Sequence, residues 1–205
     1  MDLFSRLDEF QFDVLREVGN IGSGHAVTAL STLLQRRVHM HVPQVKLVPF
    51  DAVADVVGGP EAVVAAVFLR VEGDVPGSLF FLMDLATARR LLSALLGASP
   101  GEEGFNEMES SALQEIGNIL SGSYLSSLAD LTGLRLQPSI PALAIDMAGA
   151  LLSVGLHEVG RVGDMALVID TTFAEGEDVL DSHFVLIPEP EAVDRLFRAL
   201  GVPLP

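Results

Sequence analysis

Two five-residue stretches decide how this chain is read: Glu17-Val18-Gly19-Asn20-Ile21 and Glu115-Ile116-Gly117-Asn118-Ile119. Each belongs to a longer pattern. Asp13, Glu17, Asn20 and Pro43 follow D-x3-E-x2-N-x22-P, and Ser111, Glu115, Asn118 and Pro141 follow S-x3-E-x2-N-x22-P. Every member of the second set lies 98 positions after its counterpart. Four polar or special residues kept in register over that distance mark an internal repeat. A duplicated Glu/Asn pair marks a duplicated functional face.

The flanking sequence gives the repeat its shape. Val14, Leu15, Val18, Ile21, Ala26, Ala29, Leu30 and Leu33 recur with a helical period, which predicts a helix over about 8–34 with one buried stripe. Alternation over 37–42 predicts a strand ended by Pro43. Further strands are expected at 45–50, 62–71 and 78–83. Asp84 caps a helix that runs to Leu96, with Gly97 at its end. A Gly/Pro/Glu connection at 98–105 is the seam.

The order then replays. A helix runs from about 107 to 131 and ends near Gly133, with strands at 135–137, 142–145, 165–173 and 183–187 and a closing helix at 189–200. The expected domain is 1–205, built of two repeats of about 1–99 and 105–205 that share a sheet and a core. The fold class is α/β of the α+β type, with pseudo-twofold duplication and long helices on a mainly antiparallel sheet.

Composition narrows the function. The net charge of -16 opposes nucleic acid and anionic membrane surfaces, whose phosphates would be repelled. There is no cysteine, hence no disulfide framework and no thiolate metal site. No apolar run reaches the roughly 18 residues that span a bilayer, and the first residues do not read as a secretory signal. The expected location is the cytoplasm.

At 100° per residue, Asp13, Glu17 and Asn20 fall within an arc of about 60°, as do Ser111, Glu115 and Asn118. The apolar positions lie opposite. Glycines at 19, 22, 24, 117 and 122 each cost about 1 kcal/mol against alanine, so a helix rich in them expects close approach by another backbone. Two bland readings compete: an ordinary solvated face, or asparagines that hydrogen-bond neighbouring loops.

No histidine, serine hydroxyl or cysteine accompanies the Glu/Asn pair in both copies, which argues against a paired nucleophile and base, and one glutamate per pair is a poor metal cage. A carboxylate can grip a cation, and an amide can hold one water in line. That is catalysis by positioning, with the rest of the active site brought by the substrate.

The duplicated signature, the run Gly19-Asn20-Ile21-Gly22-Ser23-Gly24 and Ser127-Leu128-Ala129-Asp130 resemble the CheC/CheX/FliY family of phosphatases acting on the phosphorylated chemotaxis response regulator CheY. The two-site layout is similar to the CheC branch. The resemblance implies that Asn20 and Asn118 orient the attacking water and that Glu17 and Glu115 pair with a lysine of the receiver domain. It implies supporting roles for Asp13 and Ser111 and structural ones for Pro43 and Pro141.

The receiver would supply its own Mg2+, so this chain would need no cofactor of its own. A second partner implied is CheD, a receptor deamidase, with Asp146 as candidate contact and a plain helix N-cap as its other reading. His25 stands where the family commonly has asparagine, about 120° outside the Glu/Asn arc. The alternative function is a non-catalytic adaptor for CheD or response regulators, or a flagellar-switch component. The latter is expected to carry extra terminal segments.

Overall fold

The computed structural model describes residues 9–35, 37, 39–42, 44–97, 101, 104–159, 165–175 and 178–201. The expected helix start at Asp8, Pro43 and most of the seam at 98–105 lie outside the described residues.

Two helices of 26 residues, α1 (Glu9–Leu34) and α3 (Glu107–Thr132), carry the two copies of the motif. The second is framed by a capping box in which Asn106 Oδ1 accepts from Glu109 N at 3.0 Å and Glu109 Oε2 from Asn106 N at 2.8 Å. Gly133, at φ 68°, closes its other end. Helix α2 (Leu85–Leu96) is capped as expected: Asp84 Oδ1 accepts from Thr87 N at 2.6 Å, and Gly97 takes φ 70°.

The strands are β1 (His39–His41), β2 (Val45–Pro49), β3 (Val63–Gly73), β4 (Gly77–Asp84), β5 (Leu136–Pro138), β6 (Ala142–Met147), β7 (Met165–Glu175) and β8 (Asp178–Pro188). Every pairing is antiparallel, and together they form one eight-stranded sheet in the order β1-β7-β8-β4-β3-β5, with β2 also on β7 and β6 also on β3. The centre is the β4–β8 pair, where Phe81 opposes Phe184 with ring centroids 4.8 Å apart. The first strands of each copy cross over. Those of the first copy pair with β7 of the second, and β5 and β6 of the second pair with β3 of the first.

Both faces of the sheet are covered. One packs α1, α2, α3 and α5 (Pro190–Ala199) against Ala65, Val67, Phe81 and Phe184. The other packs a 3-10 segment (Phe50–Val57) and α4 (Ala148–Val159) against Val64, Ala66, Phe80 and Val185. Burial on both sides explains why β3 and β4 read as continuous apolar runs rather than alternating ones.

Three elements differ from expectation. The 3-10 segment was not foreseen. β8 begins five residues before the expected start at His183. Asp146 is no helix cap: it lies in β6 opposite Val64, and α4 starts only at Ala148. Its Oδ1 accepts from the next residue, Met147 N, at 2.7 Å.

Beginning β8 early brings a polar cluster together. Asp170 on β7 faces His183 across the hairpin, with Oδ1 2.9 Å from His183 Nδ1 and Oδ2 3.1 Å from Nζ of Lys46, the chain's single lysine. Burial pushes the Asp170 carboxyl up, but the hydrogen bonds and charges of His183 and Lys46 outweigh it and hold the group below its ordinary 3.8. A folded pKa below the unfolded one gives stability that is present above about pH 4 and lost as pH falls through the folded value. Asp170→Asn is therefore expected to flatten the acid limb of the stability curve. Denaturant midpoints at neutral and at acid pH check this: the gap between wild type and variant should shrink in acid.

Candidate functional site

Helices α1 and α3 touch where Gly22 meets Tyr124. A Cβ at Gly22 would lie 3.2 Å from Tyr124 Cα, tighter than ordinary packing allows. Ser23 Oγ donates to Gly19 O at 2.9 Å and so accepts from Tyr124 OH, also at 2.9 Å. Burial raises the Tyr124 pKa, against the opposing hydrogen bonds of Ser23 and Thr171, so the phenol stays neutral. His25 Nδ1 lies 3.2 Å from Ser127 Oγ of α3. That contact ties the helices together outside the Glu/Asn arc.

Gly19 and Gly117 serve the sheet side. A Cβ on Gly117 would come within 2.7 Å of three side-chain atoms of fully buried Val67, and one on Gly19 within 3.3 Å of Val42. The expected close approach of another backbone is met at Gly22, whereas Gly19 and Gly117 make room for the side chains of Val42 and Val67. Gly24 and Gly122 face open space instead. Each lies one turn beyond its motif asparagine, within the Glu/Asn arc.

With the helices seated this way, the motif residues face outward. Asp13, Glu17, Ser111 and Glu115 are exposed, and Asn20 and Asn118 are half-buried. Asp13 pairs with Arg16 at 2.9 Å. Glu17 and Ser111 have no partner among the described residues, and Glu115 Oε2 lies 3.5 Å from Asn118 Nδ2, at the limit of a hydrogen bond. Among the described residues no three His, Asp or Glu side chains converge as a metal site.

The two asparagines differ. Asn20 Oδ1 accepts from the backbone N–H of Val42 at 3.0 Å, so the loop-bonding reading describes part of its role. Asn118 makes no such bond among the described residues. Pro141 is half-buried just before β6, and its carbonyl accepts from Gln114 Nε2 at 2.6 Å.

Two exposed apolar residues border the stripes and were missed in the sequence: Phe10, 62 % exposed, and Met108, 69 % exposed. They are also 98 positions apart, so the offset that found the motif would have found them. Each sits about 20° beyond its glutamate on the helical wheel.

The face therefore offers, twice, a carboxylate, an amide, an apolar residue and a bare glycine, with no nucleophile common to both copies. It can position groups brought by another molecule. No described helix is long and apolar enough to cross a membrane.

A family model, the CheC-like family, matches residues 10–47 and 108–145, two stretches with the same offset as the motif. The CheY-P phosphatase CheC of Bacillus subtilis is 45% identical over 210 residues, covering 100% of both chains. A putative CheY-P phosphatase, CheC1, of Halobacterium salinarum is 25% identical over 166 residues, 78% of this chain and 84% of its own. The solved structure of Thermotoga maritima FliY matches with a TM-score of 0.77 over 95% of this chain and 98% of that one, at 23% identity, a likeness of fold. Full-length identity at the first of these levels, with the family stretches falling on both copies of the motif, means that this chain belongs to the CheC-like family.

Proposed function

We propose that this chain hydrolyses the aspartyl phosphate of the response regulator CheY, with Glu17 and Asn20, and Glu115 and Asn118, as its two sites. The observation that carries the reading is the duplicated outward stripe, in which a carboxylate and an amide, with no nucleophile common to both copies, stand beside a glycine that leaves room for another backbone. The 45% identity to a CheY-P phosphatase over both full chains supports it.

The glutamate grips a cationic side chain of the receiver, fixing its orientation. The asparagine then reaches the phosphoryl group and holds one water in line with the bond to be broken. The water oxygen attacks phosphorus and the P–O bond to the aspartate breaks. The carboxylate leaves with the bonding electrons and phosphate is released. The receiver brings the Mg2+ that neutralises the phosphoryl oxygens, so this chain contributes position rather than charge. Asp13 and Ser111 shape the docking helices, Pro141 fixes the chain beside the second of them, and the two repeats act as one domain in the cytoplasm.

The test is release of phosphate from a phosphorylated CheY receiver. Acceleration by catalytic amounts of the chain supports the phosphatase; stoichiometric binding without acceleration would put the adaptor in its place.

CheD is the second proposed partner, at Asp146. The support is local: Asp146 stands exposed on β6 between Ile145 and Met147, which are 39 % and 45 % exposed. Successive side chains on a strand point to opposite faces, so β6, paired among the described residues only with β3, offers the acid on one side and the open apolar groups on the other. That suits a basic, apolar partner that wraps this edge. Asp146→Arg is expected to weaken capture of CheD at least tenfold while leaving phosphate release unchanged. Undiminished capture would remove Asp146 from the interface.

A further inference from the structure

Positions that correspond across the 98-residue offset do different work in the two copies. Arg16 is held by Asp13 at 2.9 Å. Its counterpart Gln114 has only Ser111 in that place, and reaches instead to Pro141 O at 2.6 Å. Val42 gives its N–H to Asn20 and is 3 % exposed, whereas its counterpart Ile140 is 87 % exposed. Neither Ile140 N–H nor Asn118 Oδ1 has a partner among the described residues. Ser139 pins the same loop from the sheet side, its N–H donating to Arg70 O at 2.8 Å and its Oγ accepting from Arg70 N at 2.9 Å.

The geometry points to Gln114 as a positioning residue that holds the loop in place of the motif asparagine and so leaves the Asn118 oxygen free for the attacking water. This rests on the phosphatase reading. An in-line water must turn a lone pair toward phosphorus and a hydrogen toward an acceptor. The amide oxygen is that acceptor, and one already committed to the N–H of a packed loop is aimed at the loop. Asn20 is in that state and Asn118 is not. Gln114 sits about 40° from Asn118 on the side away from Glu115, so it holds the loop without covering the site. Asp13 and Arg16 are the reason the first copy lacks this device, because their ion pair occupies the side chain that would do it.

The experiment compares single-site proteins at saturating phosphorylated receiver. With Asn20→Ala as background, Gln114→Leu should slow turnover about tenfold, the worth of roughly one hydrogen bond, at unchanged half-saturating concentration. Gln114→Lys, which can still donate to Pro141 O, should restore it. With Asn118→Ala as background, Asp13→Ser with Arg16→Gln should speed the first site by a similar factor.

Amide hydrogen exchange reads the latch without any catalysis. Val42 N–H should exchange slowly and Ile140 N–H fast. In Gln114→Leu the Ile140 N–H should slow as Asn118 captures it, and the slowing should vanish when Asn118→Ala is added. Unchanged turnover in Gln114→Leu overturns the catalytic role, and unchanged Ile140 exchange overturns the latch itself. Absence of any phosphatase activity in wild type would defeat the phosphatase reading instead, and exchange alone would then decide the latch.

Discussion

The double variant Asn20→Ala, Asn118→Ala is expected to lose about 100-fold in its acceleration of phosphate loss from CheY, the cost of misplacing a reacting group by about 1 Å. Docking should persist, because Glu17 and Glu115 remain exposed on the same faces. The loss belongs in turnover at saturation and not in the half-saturating concentration. The single variants separate a second effect. Asn20→Ala leaves the N–H of buried Val42 without its acceptor, which costs about 1–3 kcal/mol of stability. Asn118→Ala breaks no such bond, so only Asn20→Ala should lower the melting temperature. Steady-state assays on phosphorylated receiver, with thermal unfolding of the same samples, check both. Retained turnover in the double variant would remove the asparagines from the mechanism.

Gly73→Ala is expected to be the most damaging small substitution in the sheet. Gly73 holds φ 108° at the end of β3, and an added Cβ would run into the Arg135 carbonyl. That carbonyl cannot retreat freely. It accepts from Asp74 N at 2.8 Å, while Arg135 N donates to Asp74 Oδ2, also at 2.8 Å. The Asp74 carboxyl is held below its ordinary 3.8 by these Arg135 hydrogen bonds. Backbone strain alone costs about 1–3 kcal/mol, and the collision adds to it. At roughly 2–4 °C per kcal/mol for a chain of this size, a fall of about 5–10 °C in melting temperature should follow. Gly24→Ala is the control: it meets nothing within 4 Å on a helix and should hold or raise stability, since alanine favours the helix by about 1 kcal/mol. Equal melting temperatures for the two variants would contradict this account of β3.

What the sequence made legible follows from how local each signal is. The long helices, the Asp84 cap and the Gly97 and Gly133 ends are written within a few residues, and they stand where expected. The exchange of first strands is not local. Nothing in residues 39–49 singles out β7, because apolar residues such as Leu167 and Ile169 would suit other strands as well, and the specific Lys46–Asp170 pair shows only once the sheet has formed. The Asp170–His183 pair was hidden for a related reason. With β8 expected only from His183, the hairpin register that sets those two residues opposite each other could not be drawn.

Within the site, the arc of Glu and Asn needed only a repeat and 100° per residue. The different duties of Asn20 and Asn118 depend on loop placement, and there the signal lay in counterparts that differ: Arg16 against Gln114, Val42 against Ile140. The identical residues located the site, and the non-identical ones separate its two copies.

The crossed strands also set a timetable for synthesis. Val45 finds its partner only at Ile169, so at about 5–20 residues per second β2 leaves the ribosome roughly 6–25 seconds before its partner strand. Through that interval β3 and β4 can zip into a hairpin, but β1 and β2 wait unpaired with apolar side chains bare. Such non-local pairing is intrinsically slow to form. The nascent chain's exposure to holding chaperones should therefore peak while the second repeat is being made and collapse when β7 emerges.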